Sequence, residues 1–409
     1  MTITIHRGTD QIGGCVTEYA QDGWRLFVDY GEQLPGTKKS GPLEVEGLTK
    51  GDLSKSALLI THYHGDHIGC ISEVSDAVPI YMGKTAREIQ LTASKHVEYA
   101  VPEKRLEVEK LEKMQLFTPG EPFSFGPFRI MPISMDHSAF DAYAFKIEAG
   151  GTKVFHTGDF RAHGFRSGKM EKLLTLYIGE ADYVVSEGTN VSRPAATSVT
   201  ERDLQCQFIK CFCEHKYNVV YPSSTNIDRL FSLYHAADKT NRLFIIDYYQ
   251  KNIMDLASQD PVWGRSEFYN FSGKHKPLVL SWNQSISPKF SAAMERLGYV
   301  LIARANPKFN EFIARIPGEK TKYLSMWEGY IKKGSEAYSE ALAEALGEEY
   351  VFMHTSGHCD MDRLGKVFEL LNPKAVIPIH TDNPEVFATT FGNRWQIIRL
   401  CDGESFCPA

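Results

Sequence analysis

The stretch Thr61-His62-Tyr63-His64-Gly65-Asp66-His67-Ile68-Gly69 decides how the rest of the chain is read. It sets three imidazoles and a carboxylate within six positions, with Gly65 inside the cluster and Gly69 just beyond it. The apolar run Ala57-Leu58-Leu59-Ile60 comes directly before it and reads as a buried strand that delivers a loop. Ligand-type side chains at the end of a rigid strand can be held in fixed geometry. Neutral imidazoles with a carboxylate suit Zn²⁺, and also Mn²⁺ or Fe²⁺. A polar turn that merely happens to hold three histidines does not explain so compact and ordered a cluster.

The bulk properties bound what such a site can belong to. With 409 residues the chain is long for one domain and comfortable for two, and 43% apolar content supports a large core. The net charge of −6 excludes a general polycation effect, so any nucleic-acid contact must rely on basic groups concentrated near a site. Eight cysteines occur without a Cys-x-x-Cys pair, and Cys206, Cys211 and Cys213 match no usual zinc spacing. That usage implies reduced thiols and a cytoplasmic location. Met1 to Gly8 alternates as a short strand and has no signal-peptide pattern, and no apolar run approaches membrane-spanning length.

Outward from the histidine loop, several strands end in chemistry-bearing residues. Gly13–Tyr19 and Trp24–Asp29 form a hairpin that closes at Asp29-Tyr30-Gly31. Residues 33–52 read as a loop, Lys84 to His96 as a helix, and Arg105 to Met114 as a charged, solvated face. A strand from Phe128 to Ile133 leads into Met135-Asp136-His137-Ser138. The hairpin Ala142–Ile147 and Lys153–His156 ends in Thr157-Gly158-Asp159, with His156 and His163 read as structural or as supports behind the ligands. The strand of Ala181 to Glu187 ends in an acid.

A separate α/β segment follows. Ser198 or Thr200 can cap a helix to about His215, Val219–Tyr221 is a strand, and Ser223 to Arg229 opens another helix. Helices alternating with apolar strands such as Leu243–Ile246 indicate a small parallel sheet. A helix over Ser335–Leu346 precedes a strand at Tyr350–His354, then Ser356-Gly357-His358. Ala375–Ile379 is a strand that ends in His380-Thr381-Asp382, and a last strand is expected near Trp395 to Leu400.

The His-x-His-x-Asp-His run, Asp-His-Ser at 136–138 and Thr-Gly-Asp at 157–159 resemble the metallo-β-lactamase superfamily. Glu187 in Ser-Glu-Gly-Thr, His358 in Ser-Gly-His and His380 in Pro-Ile-His resemble the marks of its β-CASP branch, the group that includes RNase J and the endonuclease of pre-mRNA 3′-end cleavage. The resemblance implies an αββα metallo-β-lactamase sandwich with an inserted β-CASP-like α/β domain. The expected division is core at 1–195, insert at 196–346 and core again at 347–409.

It further implies two divalent ions, Zn²⁺ first and Mn²⁺ as the alternative. His62, His64 and His137 would hold one, Asp66, His67 and His380 the other, with Asp159 bridging and Asp29 supporting the ligand loop. The expected activity is a phosphodiesterase of the ribonuclease kind that attacks RNA, or possibly DNA, with a hydroxide held between two ions. Asp66 would orient the nucleophile, and His358, oriented by Glu187, would serve the leaving oxygen. Thr225 and Ser356 are candidate contacts to a substrate phosphate. RNA or another single-stranded nucleic acid is the expected partner.

The alternative is a dinuclear-zinc hydrolase of a small ester, thioester or lactam, because an activated water does not choose its electrophile. Two departures stand out. RNase J usually has Gly-Glu after the last histidine, where this chain has Thr381-Asp382, and the chain ends at Ala409 with no room for the extra C-terminal domain of RNase J.

Overall fold

The structure, a computed structural model, describes residues 1–37, 43–193, 199–282 and 286–408. It divides into two compact units: Met1–Thr197 with Gly357–Ala409, and Ser198–Ser356. Ser198, the first of the two expected helix caps, lies outside the described residues. Thr200 does cap the helix Glu201–Glu214, its side chain accepting from the Asp203 amide.

The first unit contains two seven-stranded sheets. One runs in the order Glu404–Phe406, Thr2–Arg7, Val16–Gln21, Trp24–Val28, Ser56–Leu59, Ile80–Gly83, Gln115–Phe117. The other runs Gln396–Ile397, Ala375–Ile379, Tyr183–Glu187, Thr152–His156, Ala142–Ala149, Phe128–Met135, Phe123–Phe125. Alternate residues of both sheets share one core: Leu26, Val28, Ala57 and Leu59 from the first with Ile130, Phe145, Val185 and Ile377 from the second.

The intervening residues Phe27 and Leu58 are fully buried as well, so these strands are covered on both faces. The helix Lys84–Glu98 packs beside strand Ile80–Gly83 and against the helix Lys104–Lys113. The outer face of the second sheet is sealed by apolar residues of the helices Met170–Tyr177, Met361–Leu371 and Pro384–Phe391. Helix, sheet, sheet, helix is the layering expected.

The two sheets aim their strand ends at one place. Trp24–Val28 and Ser56–Leu59 are parallel neighbours. Thr152–His156, Tyr183–Glu187 and Ala375–Ile379 are also parallel, and Phe128–Met135 runs the same way because two antiparallel pairings separate it from Thr152–His156. Each of these six strands is followed at its C-terminal end by one of the candidate site residues, or ends in one.

The second unit is built on a six-stranded sheet in which every pairing is parallel. Its order is Leu278–Leu280, Leu243–Asp247, Tyr299–Ile302, Tyr217–Pro222, Thr321–Ser325, Val351–Phe352. Val219, Ile245, Leu301 and Leu324 share a core with Met294, Phe309 and Leu342 of three crossover helices. A fully buried ion pair, Arg229 with Glu201 at 2.9 Å, ties helix Ile227–Lys239 to helix Glu201–Glu214, and Arg229 also donates to Ser325.

Four details differ from the sequence reading. Val351–Phe352 pairs with Thr321–Ser325, so the strand expected to reopen the core belongs to the second unit's sheet. The helix expected from Ser335 begins at Glu340, where the Ser339 hydroxyl caps it. Glu404–Phe406 adds an edge strand to Thr2–Arg7 that the sequence did not announce. Glu107, assigned to a solvated face, is buried and accepts from Ser94 and Gln90.

The Arg229–Glu201 pair makes a stability prediction. Arg229→Ala leaves Glu201 buried without its guanidinium and lowers the stability of the second unit by about 3–5 kcal/mol. Urea unfolding followed by the fluorescence of Trp263, Trp282 and Trp327 reads this directly, and an unchanged midpoint contradicts it.

Candidate metal centre

The ligand loop begins where strand Ser56–Leu59 ends. Its geometry is set by Asp29, which follows the neighbouring strand in a left-handed conformation (φ 62°). The buried Asp29 carboxylate accepts from the Thr61 amide at 2.8 Å, the Thr61 hydroxyl at 2.8 Å and His67 Nδ1 at 2.7 Å. One acid thus fixes both ends of the loop, and residues Gly65–Ile68 form a single helical turn between them. The loop is held from the other side by Gly31. A Cβ there would fall 1.7 Å from the Asp66 carbonyl oxygen, so only glycine lets the two segments touch. Arg7, which the sequence reading passed over, is buried and donates to the carbonyls of Gly31 and Gly14.

Seven expected ligand side chains meet in two groups. His62, His64 and His137 form one, and Asp66, His67, Asp159 and His380 the other; within each, the donor atoms lie within 4.8 Å of one another. All but His64 are buried. Gly158 lets strand Thr152–His156 turn into Asp159: its φ is +55°, and a Cβ would stand 2.8 Å from the Tyr143 carbonyl oxygen. His380 also has a positive φ, 50°, which is uncommon for a residue with a side chain.

Proton placement tests whether this cluster suits a cation. His137 Nδ1 lies 2.7 Å from the Gly357 carbonyl oxygen, which can only accept, so Nδ1 carries the hydrogen and Nε2 offers a lone pair. Thr61 donates its hydroxyl to Asp29, so it accepts from His62 Nδ1, and His62 Nε2 is likewise a lone pair. Both Nε2 atoms point at His64 Nδ1, at 3.1 and 3.2 Å, where one hydrogen at most could serve them.

The second group repeats the pattern. His67 donates Nδ1–H to Asp29, so its Nε2 faces the Asp159 carboxylate at 3.1 Å. Thr189 donates to the His380 carbonyl and accepts from His380 Nδ1, leaving His380 Nε2 facing Asp66 at 3.1 Å. The first group sets lone pairs against one another and the second sets imidazoles against carboxylates; together these imidazole and carboxylate donors fit divalent zinc or manganese.

The electrostatics separate the two groups. In the second, burial opposes charge on His67, but Asp159, Asp66 and Asp29 outweigh it and raise its pKa well above the ordinary histidine range. In the first, the rings are held neutral. Burial, reinforced by the neighbouring imidazoles, holds His62 well below the ordinary histidine range. Burial, then His64, does the same to His137. His64 is pushed down to about 4, again chiefly by burial. These three are neutral ligands at neutral pH. Burial alone would raise Asp66 and Asp159, but the adjacent histidines, His67 first for Asp66 and His380 first for Asp159, keep both well below the usual carboxylate range.

Glu187 and His358 sit beside this cluster. His358 Nδ1 lies 3.1 Å from Glu187 Oε2 and 3.7 Å from Asp159 Oδ2. Burial favours a neutral ring, yet the Glu187 and Asp159 carboxylates outweigh it and raise the His358 pKa to about 9. Glu187 is itself held by the Phe160 amide at 3.0 Å.

His156 donates to or accepts from Tyr19 at 3.0 Å inside the first unit and takes no part in either ligand group. Thr225 and Ser356 both belong to the second unit, Thr225 in the turn before helix Ile227–Lys239 and Ser356 after strand Val351–Phe352. Sequence reasoning missed Thr189, which orients His380, and Cys15, whose Sγ lies within 4.8 Å of ligand nitrogens of His67 and His380. The Gly-Gly-Cys spelling at 13–15 was the one signal for Cys15. All eight cysteines are free, the Cys206, Cys211 and Cys213 group included.

Asp29→Asn keeps the shape of this support and removes its charge. It weakens metal affinity by about 10–100-fold. Dialysis against graded chelator, with elemental analysis of the retained metal, checks the value; retention equal to the wild type contradicts the role of Asp29.

Comparison with known proteins places this geometry. Residues 46–194 match the family model of a beta-lactamase superfamily domain. Ribonuclease J of Sinorhizobium meliloti is 24% identical over 385 residues, covering 88% of this chain and 65% of the relative. Ribonuclease J of Helicobacter pylori is 24% identical over 402 residues, covering 92% of this chain and 55% of the relative. The chain thus spans between about half and two thirds of the length of these relatives.

A crystal structure of a protein of unknown function from Enterococcus faecalis V583 superposes with a TM-score of 0.77 over 99% of both chains at 19% identity, a likeness of fold. With its helix–sheet–sheet–helix core and ligand-type strand ends, the chain carries a beta-lactamase superfamily domain over residues 46–194 and is similar over most of its length to ribonuclease J.

Proposed function

We propose that this protein is a metal-dependent phosphodiesterase that cleaves RNA. The observation that carries the proposal is the Glu187–His358 pair, set 3.1 Å apart beside the ligand cluster. A histidine already oriented by a carboxylate, next to a cation site yet outside the ligand set, suits an enzyme that must help a charged leaving oxygen depart. The ribonuclease J relatives, which align along nearly the whole chain, support the choice of RNA.

His62, His64 and His137 would hold one ion and Asp66, His67 and His380 the second, with Asp159 between them. When bound, two divalent cations would supply Lewis acidity, activate water and offset charge on a phosphoryl group; zinc is the first candidate and manganese the second. The chain does the rest. The tied outer nitrogens keep His62, His67, His137 and His380 in one tautomer, so the inner nitrogens are presented without reorganisation. Asp66 accepts a hydrogen bond from the attacking water and orients it. Glu187 holds His358 Nδ1–H, which leaves Nε2 to bear the proton offered to the leaving oxygen. Thr225 and Ser356 contribute hydroxyl donors to the substrate backbone. Eight free cysteines and, among the described residues, no helix long and apolar enough to cross a membrane fit a cytoplasmic place of action.

The test is a single-stranded RNA labelled at its 5′ end and incubated with Zn²⁺ or Mn²⁺. Cleavage is expected in at least one metal and abolished by His64→Ala. His358→Ala should lower kcat by about 10²–10⁴-fold. Intact RNA in both metals, alongside turnover of a thioester or lactam, would replace this function with small-substrate hydrolysis.

A further inference from the structure

The second unit carries an arrangement that the metal chemistry does not use. Its exposed Phe, Tyr and Trp side chains, among the described residues, are Tyr248, Trp327, Tyr330 and Phe352. Each lies at or just beyond the C-terminal end of a strand of the parallel sheet. Tyr248 directly follows Leu243–Asp247, Trp327 and Tyr330 follow Thr321–Ser325, and Phe352 ends Val351–Phe352. Aromatic side chains scattered at random over a surface would not collect at one edge.

The strand order reverses direction at this edge. Strand Tyr217–Pro222 connects to Leu243–Asp247, passing Tyr299–Ile302. Strand Tyr299–Ile302 connects the opposite way to Thr321–Ser325, passing Tyr217–Pro222. With right-handed crossovers the two helices depart to opposite faces of the sheet. Such reversals are where open parallel sheets bind ligands.

The residues at these strand ends suit nucleotides. Arg304, beyond Tyr299–Ile302, pairs with Asp247 and stacks its guanidinium over Tyr249 at 4.8 Å. Ser223 is exposed beyond Tyr217–Pro222. Trp327 is a prepared platform: its ring lies over Gly329, where a Cβ would approach within 2.3 Å, and meets Tyr330 edge-on at 5.6 Å. It is nevertheless 48% exposed. Lys332 and Lys333 follow in exposed positions, against Glu328 as the acid of the same turn. Tyr248 and Trp327 stand on strands three steps apart, about 14 Å at ~4.8 Å per step, farther than one base can bridge.

We propose that the C-terminal edge of this sheet is a stacking platform for the bases of a single-stranded polynucleotide, with Tyr248 and Trp327 as its two poles. It rests on the RNA-cleaving function above and adds to it a binding surface that is blind to sequence, because every base has a face to stack.

Fluorescence anisotropy tests it, with a fifteen-nucleotide, fluorescein-labelled oligoadenylate and the full chain carrying His64→Ala so that the probe survives. Adding Tyr248→Ala or Trp327→Ala should each weaken binding by about five-fold or more. Trp327→Phe should recover most of the loss, and Tyr99→Ala, an exposed aromatic of the first unit, should cause none. A dinucleotide should bind with no dependence on the second pole. Circular-dichroism melting confirms that each variant is folded. Affinity unchanged in both alanine variants overturns the platform. So does a self-associated wild type, seen by sedimentation, that Trp327→Ala makes monomeric, since the edge would then join copies of this chain. No oligoadenylate binding while metal-dependent RNA cleavage persists removes the platform alone; loss of both removes the RNA-cleaving function with it.

Discussion

The decisive interaction is the hydrogen bond on the outward nitrogen of the candidate imidazoles. Asp29, Thr61, Thr189 and the Gly357 carbonyl each hold the outward nitrogen of one ring and so aim its other nitrogen into the cluster. For His62 and His137 that nitrogen is a bare lone pair that faces His64. For His67 it faces the Asp159 carboxylate. Buried acceptors without donors are unfavourable by several kcal/mol, and a divalent cation is a partner that satisfies imidazole and carboxylate donors together. The tie at Asp29 reaches furthest, because it joins two neighbouring strands, the first residue of the ligand loop and the ring of His67 at once.

This demand shapes the backbone around it. Asp29 and His380 both adopt positive φ at the very ends of their strands. Each conformation is uncommon for a residue with a side chain and persists only where the surroundings enforce it. Here the enforcement is visible: the Asp29 amide is held by the Leu59 carbonyl, and the His380 amide by the Gly8 carbonyl. Arg7 and Gly31 then press the N-terminal segment onto the ligand loop. At these two positions the backbone conformation serves the convergence of side chains.

That convergence explains what could be read from the chain. Ligand-type residues at successive strand ends were legible because both signals are local: an apolar run, then His or Asp. The supports were less so. Thr189 is an ordinary threonine until the fold sets it 2.7 Å from His380 Nδ1, and Arg7 looks like any strand-end cation. Glu107 followed charge patterning onto a solvated face because nothing nearby in sequence names Ser94 and Gln90 as its partners. The strand Glu404–Phe406 is too short and polar to carry a period-2 signal. The run around Val351 is apolar whichever sheet receives it, and pairing with Thr321–Ser325 is a tertiary choice.

The division into two units has a chemical meaning. Every residue of the two ligand groups, and each group that fixes an outward nitrogen, belongs to the first unit. The second unit has its own core and its own buried ion pair. Fold does not dictate substrate, and a cation cluster accepts many electrophiles. The four outward-nitrogen bonds are all made within the first unit, so residues at the strand ends of the second can change without removing one. A resemblance to ribonuclease J over 88% of the chain, yet at only 24% identity, is what that separation permits.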